Sequence, residues 1–209
     1  MQTRKSIPFV VFALAGALAL TVLLQRHPAD SSAPVTGSAP LLARDSASCF
    51  DAPDFIAVDQ DGRAFAAREL RGKVWIADFI FTGCAGVCPV LTQKMATLQR
   101  DLAASPIDFV SFDVDPDHDT PAKLNEYGQT YHADFSNWHF LALPSWHAAF
   151  AVAKGMRATT ATDDRDFQLL HSDHFLLVDA DGRVRGVYDM YKPASMGQLA
   201  SDARALLRR

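Results

Sequence analysis

Three patterns of apolar and polar residues run along this chain. The first is a block: residues 7–24 carry no charge and follow Arg4 and Lys5. Such a run behind a basic start predicts a membrane-spanning helix. At about 1.5 Å per residue it reaches roughly 27 Å, near the thickness of a bilayer's hydrocarbon core. The positive-inside rule keeps Arg4 and Lys5 in the cytoplasm and sends the remainder outward, into a periplasm-like space. No small-residue cleavage site follows the run, and Cys49 stands too far downstream to carry a lipid anchor. The second pattern is the lack of one: residues 28–48 hold Pro28, Ser31, Ser32, Pro34, Gly37, Ser38 and Pro40 and predict a flexible tether. Residues 1–27 are thus expected to anchor, 28–48 to link, and 49–209 to form a folded head that starts near Phe50.

In the head the periods alternate. Residues 54–58 predict a short strand, and the Asp61-Gly62 turn returns the chain through residues 64–65, giving a hairpin. Residues 73–81 are nearly continuous apolar and aromatic sequence, as expected of a central strand covered on both faces. After Pro89, Val90, Leu91, Met95, Leu98 and Leu102 recur at helical spacing, and residues 107–114 again read as a strand. That is a βαβ unit with a parallel pairing. Thr120-Pro121 opens a helix reaching about Tyr131, Pro121 suiting its first position. Residues 138–142 predict a strand and 145–154 a short helix. Residues 169–178 and 183–188 flank Asp179-Ala180-Asp181-Gly182, a hairpin signal, and residues 195–207 close the chain as a helix. This order is that of an α/β, thioredoxin-like sandwich with a central mixed sheet.

Composition narrows the function. The 209 residues carry 20 basic and 24 acidic side chains, a net charge of −4 and 49% hydrophobic residues. That is too apolar for a disordered chain and lacks the concentrated positive charge a nucleic-acid partner needs. Three cysteines are too few to staple a fold. Cys84-Ala85-Gly86-Val87-Cys88-Pro89, however, follows a buried strand and opens a helix. Unpaired N–H groups and the positive end of the helix dipole favour thiolate there, and with it nucleophilic attack or metal ligation. Three residues separate the cysteines, where redox pairs usually have two. A dithiolate suits Cu(I), and an added imidazole would suit Cu(II). Of seven histidines, His27, His118, His132, His139 and His147 have no context that selects them. His171 and His174 sit at the start of the late strand, three apart, so a regular strand turns only one of them towards the cysteines. Periodicity leaves open which.

The segments 79–89, Asp115-Pro116-Asp117-His118-Asp119-Thr120-Pro121 and His171-Ser172-Asp173-His174 before an Asp-Gly turn together resemble the Sco/SenC family over residues 50–207. The resemblance implies a membrane-anchored, thioredoxin-like copper chaperone that helps assemble the copper centre of cytochrome c oxidase. It implies copper held by Cys84, Cys88 and His171, with His174 a neighbour, and Asp119 positioning the loops of the metal site. Its expected partner is the copper-receiving oxidase subunit, and its expected place the inner membrane, with the head in the periplasm. Gly83, Ala85-Gly86 and His118 depart from the family's usual residues without touching the three ligands. The alternative is a thiol-disulfide oxidoreductase, in which Cys84 and Cys88 would be the catalytic pair keeping a cuproprotein's cysteines reduced. No proline lies between Pro144 and Pro193 to face the cysteines as in thioredoxin-like oxidoreductases, which weighs for metal over redox. A peroxidase is weaker still.

Other candidates fall away. Asp115, Asp117, Asp119 and Glu126 match calcium-loop positions 1, 3, 5 and 12, but Thr120 and Pro121 occupy the positions of the sharp turn. Met95, Trp75 and Phe79 are expected in the core, Met156, Met190 and Met196 are too scattered for a copper-binding cluster, and Cys49 is expected to be an incidental thiol, with intermolecular pairing or a metal contact as the alternatives.

Overall fold

The computed structural model describes residues 49–159 and 172–208. The expected anchor, the tether, His27 and His171 lie outside the described residues. Among the described residues no helix is long and apolar enough to cross a membrane.

The head is built on eight strands: β1 (Phe50–Asp51), β2 (Ile56–Val58), β3 (Ala64–Ala66), β4 (Val74–Ile80), β5 (Ile107–Asp113), β6 (Trp138–Ala142), β7 (His174–Val178) and β8 (Arg183–Asp189). They form one sheet in the order β1-β8-β7-β4-β5-β6-β2-β3. β4, β5 and β6 run parallel, and the other pairings are antiparallel. The expected mixed sheet and βαβ unit are therefore present. β1 escaped the sequence pattern because two residues carry no readable period, and so did the 3₁₀ turn at Ala67–Leu70. The late strand, expected from residue 169, begins at His174 among the described residues.

Among the described residues four helices cover the sheet: α1 (Val87–Asp101), α2 (Pro121–Thr130), α3 (Trp146–Gly155) and α4 (Ser195–Leu206). Strand alternation sorts the core into two halves. Val74, Ile76 and Ile80 of β4 meet Leu91, Met95 and Leu98 of α1, Leu124 of α2 and Leu199 and Ala203 of α4. Trp75, Ala77 and Phe79 meet Ala149 and Val152 of α3 together with Phe55 and Phe65 from the β2–β3 region. Every residue of β4 is buried, as its unbroken apolar run predicts. Met95, Met156 and Met190 are likewise core.

Both Asp-Gly turns are made alike. Asp59 Oδ1 accepts from the N–H of Asp61 and Arg63, Asp179 Oδ1 from Asp181 and Arg183, and Gly62 and Gly182 take φ of 79° and 81°. That left-handed region is open to glycine at no steric cost, which is why the turn dipeptide was readable. At the start of α2, Thr120 Oγ1 accepts from Lys123 N–H at 3.3 Å. Thr120→Ala should cost about 1 kcal/mol, read as a lower urea midpoint with an unchanged slope. An unshifted midpoint would mean that water replaces the cap.

Candidate metal centre

α1 begins three residues earlier than its hydrophobic period suggests, so Cys88 and Pro89 lie in its first turn while Cys84 stays in the loop leaving β4. A proline in the first turn removes only an N–H that has no helical partner. The Cys84 N–H donates to Phe81 O at 3.3 Å, closing the loop, and the Cys88 N–H donates to Cys84 Sγ at 3.4 Å. Both cysteines are buried and stand as thiols.

Their environments separate them. Burial opposes ionisation of Cys84, but the Cys88 thiol and the N–H groups of Cys88, Gly86 and Val87 together outweigh it and bring its pKa below that of an ordinary thiol. Cys88 is pushed well up, first by burial, then by its hydrogen bond to Cys84 and by the charges of Cys84 and Asp78. The helix start thus activates the outer sulfur and leaves the inner one protonated.

The loop leaving β5 holds the cysteine loop in place. The Asp119 carboxylate accepts from the Thr82 N–H at 2.6 Å and from the Thr82 hydroxyl, two residues before Cys84. Asp113 Oδ1 in turn accepts from the Asp115 N–H at 3.0 Å, and Asp115 pairs with His118 Nδ1 at 2.7 Å. That bond, followed by the nearby carboxylate charges, raises the pKa of the exposed His118. Asp115 and Asp119 therefore have partners of their own. Among the described residues no group of three or more His, Cys, Asp or Glu could hold a metal ion.

The late strand decides between the histidines only in part. Phe175 and Leu177 share the core half that contains Cys84 and Cys88, whereas Leu176 and Val178 lie in the other half. Alternation puts His174 with the latter pair. Its Nδ1 lies 2.5 Å from Asp173 Oδ1. His174 is thus turned from the cysteine side, and His171 lies outside the described residues.

Two carboxylates near the site were missed by pattern reading. Asp78, on β4 between Ile76 and Ile80, is fully buried, with the Ser111 hydroxyl as the polar group that acts on its carboxylate. Burial raises its pKa to about 7, and the Ser111 hydroxyl opposite, which accepts from Trp138 Nε1, lowers it only in part. Asp113, at the end of β5, is raised to about 8 by burial despite the Asp115 N–H, with Asp119 and Asp115 adding to the rise, and its Oδ2 has no partner. The available signal was a carboxylate at an inward position of an otherwise apolar strand.

A protein-family model described as SCO1/SenC matches residues 48–208. The chain is 34% identical over 160 residues to a SCO1 protein homolog of Bacillus subtilis (strain 168), covering 75% of this chain and 82% of that protein. It is 31% identical over 142 residues to a Stutzerimonas stutzeri protein named for copper binding, covering 64% of this chain and 67% of that protein. Among solved structures it is similar to BsSco, described as a member of the Sco family of cytochrome c oxidase assembly proteins with a disulfide switch. The TM-score is 0.67 at 31% identity, over 75% of this chain and 93% of that one.

Proposed function

This chain belongs to the SCO1/SenC family, and on that premise we propose that it is a membrane-anchored copper metallochaperone that delivers copper to the copper centre of cytochrome c oxidase during assembly. Cys84 and Cys88 hold Cu(I), and His171 joins them for Cu(II). The observation that carries this reading is the pair itself: two sulfurs at a helix start, with the Cys88 N–H donating to Cys84 Sγ and Cys84 biased towards thiolate. Thiolates are soft donors that suit Cu(I), and imidazole suits Cu(II). A site with few ligands also permits hand-over by exchange, since an acceptor's thiolate can add before the donor's sulfurs leave. The name of the Stutzerimonas stutzeri relative and the description of BsSco agree with it. Residues 1–27 hold the chain in the inner membrane and residues 28–48 let the head, on the periplasmic side, reach a partner in the same bilayer at raised effective concentration.

A second reading is favoured by the asymmetry of the thiols. Cys84 thiolate attacks a partner's disulfide and releases one partner thiolate. Cys88, losing its proton, then attacks Cys84 Sγ, releasing the second partner thiol and leaving a Cys84–Cys88 disulfide. The partner gains the two electrons that the dithiol loses.

The histidine assignment has its own test. His171→Ala should weaken Cu(II) binding by more than the roughly 10–100-fold that even outer partners of a ligand are worth, and should remove its thiolate-to-copper absorption. His174→Ala should leave both unchanged. Loss of both signals in His174→Ala alone would exchange the two roles.

A further inference from the structure

The contacts that hold the cysteine loop begin at a residue the proposed function leaves out. Asp113 ends β5, pairs in register with Ile80 at the end of β4 and is fully buried. Partners in register point to the same face of a sheet, so its carboxyl lies on the side of Ile80, the core half that contains Cys84 and Cys88. Its Oδ1 accepts from the Asp115 N–H at 3.0 Å. Asp115 O accepts in turn from the N–H groups of His118 and Asp119, at 3.0 and 2.9 Å, which closes the turn over residues 115–119. The Asp119 carboxylate then accepts from the Thr82 N–H at 2.6 Å. A continuous series of hydrogen bonds thus runs from Asp113 through the turn to Thr82, two residues before the outer sulfur. Charge makes the series sensitive. Asp119 and Asp115 both act on Asp113 as like charges, and together with burial they keep it protonated up to about pH 8. The other titratable groups on that core half are Asp78 of β4, Cys88 of α1 and Tyr127 of α2, and burial pushes all three up. Ile80 and Ala142, the partners of Asp113 in the sheet, carry no charge. A neutral carboxyl sits beside the Asp119 carboxylate without repelling it, whereas an ionised one opposes it in a site with little water to screen the two.

We propose that Asp113 is a positioning residue of the cysteine loop: as the neutral acid it holds the turn over residues 115–119 against the end of β4, and its ionisation loosens the hold of Asp119 on Thr82 and with it the placement of Cys84. Two properties of the residue are needed together. Its oxygen must accept from Asp115, and its charge must be absent. The first is a matter of shape and the second of protonation, so substitutions separate them. The consequence for copper rests on the metallochaperone reading, while the hold on Thr82 belongs to the copper-free chain.

Amide hydrogen exchange of Thr82, corrected for its intrinsic rate, reads this hold in the full-length, copper-free protein in detergent. In wild type the protection should fall about tenfold from pH 7 to pH 9, as the Asp113 proton leaves. Asp113→Asn keeps an oxygen for the Asp115 N–H and cannot ionise, so its protection should stay level across the same range. Asp113→Leu removes the acceptor and should lower protection about tenfold at both pH values. Asp78 titrates in wild type and in the asparagine variant alike, so the difference between their curves belongs to Asp113. Competition with a Cu(I) chelator gives a second profile, which a general loss of stability would not move. The asparagine variant should bind within about twofold of wild type at pH 7 and at least about threefold more tightly at pH 9. The proposal is overturned by parallel wild-type and asparagine exchange curves, by leucine-variant protection within about twofold of wild type, or by equal affinities at pH 9 in a chain that does take copper. Where far-UV circular dichroism shows the leucine variant unfolded, the comparison of the asparagine variant with wild type decides alone. A chain with the expected Thr82 profiles that takes no copper would sink the metallochaperone reading and leave the role of Asp113 standing.

Discussion

Cys84→Ser and Cys88→Ser, each made alone in the full-length protein, are expected to take the reduced chain from one Cu(I) to none. Each change leaves one sulfur of the pair, with a serine hydroxyl in place of the other. A hydroxyl is a poor donor for so soft an ion. The two variants should differ in stability even as they agree in copper. Cys84 lies in the loop, whereas Cys88 sits in the first turn of α1, within the core that includes Leu91 and Met95. Placing a hydroxyl there should cost about 1–3 kcal/mol, with a smaller effect at position 84. Copper stoichiometry by competition with a Cu(I) chelator, alongside urea unfolding, reads both quantities. One full equivalent of Cu(I) retained by either variant would refute the two-sulfur site. A wild-type protein that takes no copper but reduces a model disulfide would move the assignment to the oxidoreductase reading.

Asp78→Asn should flatten the pH dependence of stability. Unfolded, Asp78 ionises near its ordinary value of 3.8; folded, burial delays this to about 7. Between those values the folded state holds one proton more than the unfolded state, so stability falls as pH rises through the window. Below about pH 4 the contribution is fully present, and above about pH 7 no more is lost. A shift of about three pKa units corresponds to roughly 4 kcal/mol. The wild-type curve carries a further loss of the same sign from Asp113, whose folded value lies near 8. The difference between the Asp78→Asn and wild-type curves isolates the one group: the variant should gain on wild type from pH 4 to pH 7 and then run parallel to it. Urea unfolding at half-unit steps measures it, and a constant difference across the range would show that Asp78 is not the group that titrates.

The sequence by itself determined the frame on which these residues sit. The unbroken apolar run of β4, the helical period of α1, the Thr120-Pro121 start of α2 and the two Asp-Gly turns are local signals. Each depends on residues within a few positions of one another, and each element appears in the structure, α1 starting three residues before its apolar period. The cysteine pair at the end of β4 was legible for the same reason, since its helix start is set by the chain immediately around it. Short elements were not: β1 exists only because β8 offers it a partner.

Only the tertiary structure decided what depends on residues far apart in sequence. Thr82 and Asp119 meet because β4 and β5 lie side by side and send their loops to the same end of the sheet. His174 is assigned to the face away from the cysteines by where β7 begins and by its pairing with β4, which a spacing of three residues could not settle. Asp78 looked like one polar position in a buried strand. Its raised pKa comes from α1 and α4 covering the sheet and withholding water from a carboxylate that Ser111 satisfies only in part. The exposed pair Ile56 and Val58 becomes part of a groove only when the loops after β5 and β6 close around it. Hydrogen bonds within a turn or helix are written in neighbouring residues, whereas desolvation and the meeting of distant loops are properties of the packed molecule.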